Sequence, residues 1–144
     1  MKPYEIAAEV KPSERQLNWQ KTEFYGFINF GLATVVNKEW TDGSVSPVNF
    51  CPDEFDTAEW VEFFKDAGFK GMVLNVKHHD GFCLWYSSLT DYTVENSFNW
   101  ETENRDMVAM LSEECKKQGL KFGIAISPLD RNASCFGKGD EYNE

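Results

Sequence analysis

The chain's two histidines are adjacent, His78 and His79, and are followed by Asp80 and Gly81 within residues 70–85, KGMVLNVKHHDGFCLW. A neutral imidazole both donates and accepts hydrogen bonds, so the pair suits recognition of hydroxyl groups. Two histidines and an aspartate are also acceptable metal ligands. Neighbouring residues of a strand seldom converge on one ion, so no metal site is expected. The plainest alternative is a structural cluster that packs a loop against a strand end. A second polar group is Glu39 beside Trp40, in a stretch that carries Gly43, Pro47 and Pro52. A carboxylate next to an indole suits a sugar, because one accepts hydroxyl hydrogen bonds while the other stacks on a C–H face. Asn29, alone among apolar residues, is either an interior amide bonded to a neighbour or a ligand contact at a strand end. Trp85, at the start of a second long loop, completes the candidate contacts.

Regular elements must hold these residues. Met72, Leu74 and Val76 alternate with Val73, Asn75 and Lys77, the period of a strand with one apolar and one mixed face. Successive strand side chains point to opposite faces, so only one histidine is expected on the side of Lys77 unless Gly81 provides a kink. Residues 24–34, FYGFINFGLAT, read as a buried aromatic strand. Residues 120–128, LKFGIAISP, read as a third, with Phe122, Ile124 and Ile126 on a large face and Gly123, Ala125 and Ser127 on a small one. A helix is expected from Asp56, which caps it, with Glu59 at the reciprocal box position and Phe55 and Trp60 spaced as a hydrophobic staple. Its stripe of Trp60, Phe63, Phe64 and Ala67 is expected in the core, with Gly68 as the stop. A second helix, 105–118, presents Met107, Val108, Leu111 and Cys115 and ends at Gly119. Residues 1–20, interrupted by Pro3 and Pro12, read as an irregular lead-in without chemistry.

The order strand, helix, strand, helix, strand is that of an α/β fold with parallel strands. The two long loops, 37–54 and 80–103, leave the C-terminal ends of strands, where (β/α) barrels of TIM type place their active sites. Asn29, Lys77, His79 and Ser127 share the parity to face one interior. Three strands and two helices make only part of such a barrel, leaving a parallel edge open and the last strand uncovered. Residues 21–144 are therefore expected to be the N-terminal part of a barrel domain, needing the remainder of the barrel or a partner on the open edge. A flavodoxin-type sheet is the rival, but no glycine-rich phosphate loop follows the first strand.

Composition restricts the partners. With 144 residues, 42% of them hydrophobic, the chain has the size and apolar content of one domain. Its net charge of −10 argues against nucleic acid and anionic membranes, which need clustered lysine and arginine. No segment has the apolar length of a membrane span, and residues 1–20 lack the apolar centre of a signal peptide, so a soluble chain is expected. Cys51, Cys83, Cys115 and Cys135 lack metal-type spacing and are expected as free thiols. Asn132-Ala133-Ser134 is a glycosylation sequon, a triplet that often arises by chance. Asp130 and Arg131 read as exposed loop residues, with proximity to the site as the lesser alternative.

The segments FINFG, KEW, FDTAEWVEFFKDAGFKGMVLNVKHHDGFCLW and GLKFGIAISPLDRN together resemble the N-terminal part of the catalytic barrel of α-L-fucosidases, glycoside hydrolase family 29. The resemblance covers about residues 20 to 132 and is most specific at KHHDGFCLW. It implies a retaining hydrolase of terminal α-linked L-fucose, acting on a fucosylated oligosaccharide or glycoconjugate without a cofactor. It also implies a secreted, periplasmic or lysosomal setting, common among family members. Retention needs two carboxyl groups about 5 Å apart across the anomeric carbon. The family's nucleophile lies on a later strand, so no residue of this chain inherits it. By the same resemblance, Glu39, Trp40, His78 and His79 hold fucose hydroxyls. Asn29 stands where the family has histidine, and Ala125 near where it has tyrosine. A non-catalytic or degenerate carbohydrate-binding barrel fragment is the alternative reading.

Overall fold

The computed structural model describes residues 2–52, 55–98 and 106–143. Three parallel strands, β1 (Tyr25–Ile28), β2 (Gly71–Lys77) and β3 (Lys121–Ile126), form one sheet in sequence order, with β2 in the centre. Its connections carry α3 (Leu32–Val35), α4 (Thr57–Asp66) and α5 (Met107–Gln118). Two short helices, α1 (Pro3–Ala8) and α2 (Glu14–Gln20), precede the sheet and α6 (Asp140–Asn143) follows it.

The alternation expected for β2 is present. Met72, Leu74 and Val76 are buried and face the helices, whereas Val73, Asn75 and Lys77 are half-buried on the other face. α5 lays Met107, Leu111 and Cys115 onto that apolar side, and the Cys115 thiol touches the Met72 sulfur at 3.1 Å. Removing a side chain such as Leu111, with none of its surface exposed, costs about 2–5 kcal/mol. α4 begins as its sequence demands: the Asp56 carboxylate accepts the Ala58 and Glu59 N–H groups, and Phe55 meets Trp60 edge-on at 5.0 Å. Gly119, with φ 77°, terminates α5. The expected start of α5 at residue 105 lies outside the described residues, which begin again at its cap, Asp106. All four cysteines are free.

Four expectations are corrected. Residues 1–20 are not irregular: Pro3 occupies the first turn of α1, where its missing N–H costs nothing, and Ser13 with Gln16 forms a full capping box on α2. α2 packs on the sheet where the strands begin, with Trp19 on Tyr25 at 4.8 Å and the Lys121 ammonium donating to Thr22. The first strand stops at Ile28 rather than running to 34, because Phe30 turns into an aromatic group with Phe50, Phe55 and Trp60 and the chain re-forms as α3. Nor is that strand buried: Tyr25 and Phe27 are 43% and 54% exposed, on an edge with no neighbour beyond β1 in this sheet. Finally, the α4 stripe is only partly in the core. Val61 is fully buried, Trp60 and Phe64 are half-buried, and Phe63 is 68% exposed. α4 and β1 meet closely at Gly26, where a methyl would strike the edge of the Phe64 ring and force that ring to move.

The large face of β3 matches the expected bare outer layer, with Ile124 and Ile126 more than half exposed. On the opposite face, Asn29, the residue after β1, and Ala125 of β3 lie beside Asn75 of β2, and the register between β2 and β3 shifts between Asn75 and Lys77.

Candidate functional site

Beyond the C-terminal ends of the strands, the chain makes a cavity of about 370 Å³. Its polar lining includes Asn29, Lys38, Glu39, Asn75, His78 and Asp80, set among Trp40 and the apolar Phe30, Leu32, Phe82 and Leu84. A mostly apolar hollow with a few convergent polar groups is the usual form of a small-ligand site.

Each polar group is held by identifiable structure. The carboxamides of Asn29 and Asn75 share a 2.9 Å hydrogen bond across β1 and β2. Asn29 is thus bonded to a neighbour, but it is exposed rather than interior, and it lines the cavity. The histidines do not obey strand alternation, because β2 ends at Lys77 and the Gly81 N–H closes a turn onto the His78 carbonyl at 3.0 Å. Gly81 takes φ 95°, and a side chain there would strike the Asp130 carboxylate. Released from the sheet, both imidazoles reach Trp40: His79 lies parallel to the indole at 5.2 Å and His78 is tilted at 5.0 Å.

The two histidines have different surroundings. His78 lines the cavity, and burial, reinforced by the neighbouring His79, pushes its pKa below the ordinary 6.5 despite the opposing charge of Asp80. It is therefore neutral near pH 7, able both to donate and to accept. His79 is not among the lining residues. Trp40 covers its ring, and its Nδ1 is 2.5 Å from the Ser127 hydroxyl, which also accepts the Leu129 N–H at 3.0 Å.

Trp85 is likewise absent from the lining; it packs half-buried against the hydrophobic core. Its place at the end of the apolar run explains both the expectation and the outcome, since an aromatic there serves a core as readily as a ligand. Glu39 and Trp40 are exposed, as a contact with an incoming molecule requires. Lys77 and Ser127 meet as their parity suggested, whereas His79 reaches Ser127 from the turn that follows β2. The Lys77 ammonium donates to the Ser127 and Leu129 carbonyls at 3.4 and 3.3 Å and pairs with Asp130 at 3.2 Å. Asp130 is thus half-buried beside the strand end rather than an exposed loop residue. Its carboxylate also caps the Asn132 and Ala133 N–H groups.

The loops carrying these residues are tied together. Asp80, 2% exposed, accepts the Thr41 hydroxyl at 2.6 Å and the Phe82 N–H at 3.0 Å. The Tyr92 hydroxyl donates to the Val45 carbonyl at 2.8 Å, and the Asn132 side chain donates to the Gly43 carbonyl at 2.9 Å. The Arg131 and Asn132 N–H groups bond the His79 and Asp80 carbonyls. Asn132, the acceptor of the sequon, is therefore engaged in joining two loops. Among the described residues, no three of His, Cys, Asp or Glu are grouped to hold a metal ion.

The chain is similar in sequence and shape to proteins named as α-L-fucosidases or glycoside hydrolases. The Arabidopsis thaliana protein "Alpha-L-fucosidase 1" is 41% identical over all 144 residues, which correspond to 28% of its own length. A crystal structure of a glycoside hydrolase 29 family member from a rumen bacterium is 42% identical with a TM-score of 0.80, covering 84% of this chain and 22% of that one. A Bacteroides thetaiotaomicron GH29 α-L-fucosidase, trapped as a covalent intermediate with 2-fluoro-fucosyl fluoride, is 25% identical with a TM-score of 0.71; the match covers 89% of this chain and 33% of that one. The chain thus spans a third or less of these relatives. The family model for α-L-fucosidase matches residues 4–144, nearly every position, and the chain belongs to that family.

Proposed function

We propose that residues 21–144 form the first three strands and two principal helices of a (β/α) barrel of TIM type, and that they hold the sugar in a retaining α-L-fucosidase. The observation that carries this reading is the Trp40 indole set against both imidazoles at the rim of a cavity that Glu39 and Asn29 also line. An indole offers a face to the apolar side of a deoxy sugar, while a neutral imidazole, a carboxylate and an amide bond its hydroxyls. The bare faces of β1, β3 and α4 support a longer barrel, since Phe27, Phe63, Ile124 and Ile126 are each more than half exposed.

Retention requires a nucleophilic carboxylate and an acid/base about 5 Å apart, on either side of the anomeric carbon. The Bacteroides relative trapped as a covalent intermediate supports the double displacement. In this chain Glu39 is an exposed cavity carboxylate and Asp80 is buried and doubly bonded, so neither is assigned as nucleophile. The part proposed here is binding and orientation, with both reacting carboxylates supplied by the rest of the protein. The substrate is a terminal α-L-fucosyl group on an oligosaccharide or glycoconjugate.

The test is hydrolysis of an aryl α-L-fucoside by the full-length protein, comparing the parent with His78→Ala and His79→Ala. Both variants are expected to lose about tenfold or more in kcat/KM, a loss of about 1.4 kcal/mol in transition-state binding, while remaining folded. Unchanged kcat/KM in both would overturn the sugar-contact assignment. Binding of L-fucose without hydrolysis would favour a non-catalytic carbohydrate-binding role.

A further inference from the structure

We infer that Asp80 and Thr41 are a positioning pair that holds Trp40 against His79; the inference rests on the sugar-binding reading above for its effect on ligand. The relation is one of sequence offset. Trp40 and His79 are stacked, and the residue after each, Thr41 and Asp80, joins its counterpart through a 2.6 Å hydrogen bond from the Thr41 hydroxyl to Asp80 Oδ2. A single bond thus sets the register of the two strand-end loops at the point where both deliver an aromatic ring.

Burial makes the pair specific. Asp80 is 2% exposed and Thr41 6%, and a carboxylate in such a place is costly unless its oxygens are bonded. Oδ1 is taken by the Phe82 N–H at 3.0 Å, which fixes the rotamer, and leaves Oδ2 aimed at Thr41. The Asp80 carbonyl accepts the Asn132 N–H at 3.1 Å, so the β3 loop braces the same residue from the other side. A charge-assisted O–H···O⁻ bond is short and about twice as strong as a neutral one, suited to holding an otherwise half-exposed indole in place. Neither residue stands among those the resemblance assigns to sugar, and their side chains are occupied with each other.

The test compares Thr41→Val, which removes the donor at nearly constant shape, with Thr41→Ser, which keeps it, in the full-length protein. The Val variant is expected to raise both the Kd for L-fucose and the KM for an aryl fucoside about tenfold, with kcat within about twofold, because Trp40 presents a binding face and not a reacting group. The Ser variant is expected to restore both constants to within about twofold of the parent. Quenching of Trp40 emission by acrylamide, taken as the difference from Trp40→Phe in each background, should rise in the Val variant alone. If Thr41→Val does not fold, Asp80→Asn, which exchanges the charge-assisted bond for a neutral one, should show the same directions with smaller changes. A folded Val variant with parental Kd and parental quenching would overturn the pairing. If the parent neither binds nor hydrolyses fucosides, the sugar reading fails, and quenching alone still decides whether Thr41 and Asp80 hold Trp40.

Discussion

The indole of Trp40 and the imidazole of His79 lie parallel, 9° apart in plane and 5.2 Å apart in centre, although 39 positions separate them in the chain. The stack makes one surface from two loops. Trp40 supplies an exposed face, and His79 beneath it is anchored through Ser127 to the end of β3.

Trp40→Ala should therefore weaken sugar binding by more than one aromatic contact, since it removes the face and uncovers His79. An aromatic pair is worth about 0.5–1.5 kcal/mol beyond its buried area. The expected rise in Kd for L-fucose, read by calorimetry on the full-length protein, is about tenfold or more, with Trp40→Phe intermediate.

Acid should act through His78. Its native pKa lies below 6.5 because burial disfavours the imidazolium and His79 adds to the effect, with Asp80 opposing. A histidine depressed in the folded state binds more protons when unfolded, so its contribution is fully present above 6.5 and is lost as pH falls from that value through the native pKa. Stability measured by denaturant from pH 7.5 to 4.5 should decline less steeply in His78→Gln than in the parent; parallel curves would contradict the assignment.

The cysteines should separate by reactivity. Burial pushes the Cys83 and Cys115 thiols up to about 11, and both are protonated and enclosed at pH 8, whereas Cys51 is exposed. Mass-spectrometric mapping after a brief maleimide treatment should find Cys51 labelled and Cys83 and Cys115 labelled only after denaturation. Early modification of Cys115 would mean that α5 does not stay on β2.

Patterns that depend on local spacing were legible in the sequence. The period-2 alternation of β2, the Asp56 cap, the Phe55–Trp60 staple, the stripe of α5 and the inward parity of Lys77 and Ser127 each follow from a few consecutive residues and appear as expected. The types and order of Glu39, Trp40, His78 and His79 also marked out residues that the fold gathers at or beside the cavity. Four features were not. Trp85 carries the same signal as a ligand aromatic but packs on the core, and only the direction of the chain after β2 decides between the two. Phe63 fits the α4 stripe yet stands exposed, because burial needs an opposing surface and not merely the correct spacing. Both histidines meet Trp40 only because β2 ends one residue before them and the turn at Gly81 cancels alternation. The Thr41–Asp80 bond joins two ordinary loop residues, and nothing local distinguishes either of them. The sequence by itself determined the central strand, the two principal helices and the family, since these reside in short-range periodicity and motif order. The tertiary structure decided which of the candidate side chains face the cavity and what holds them there, because those outcomes depend on bonds between loops far apart in the chain.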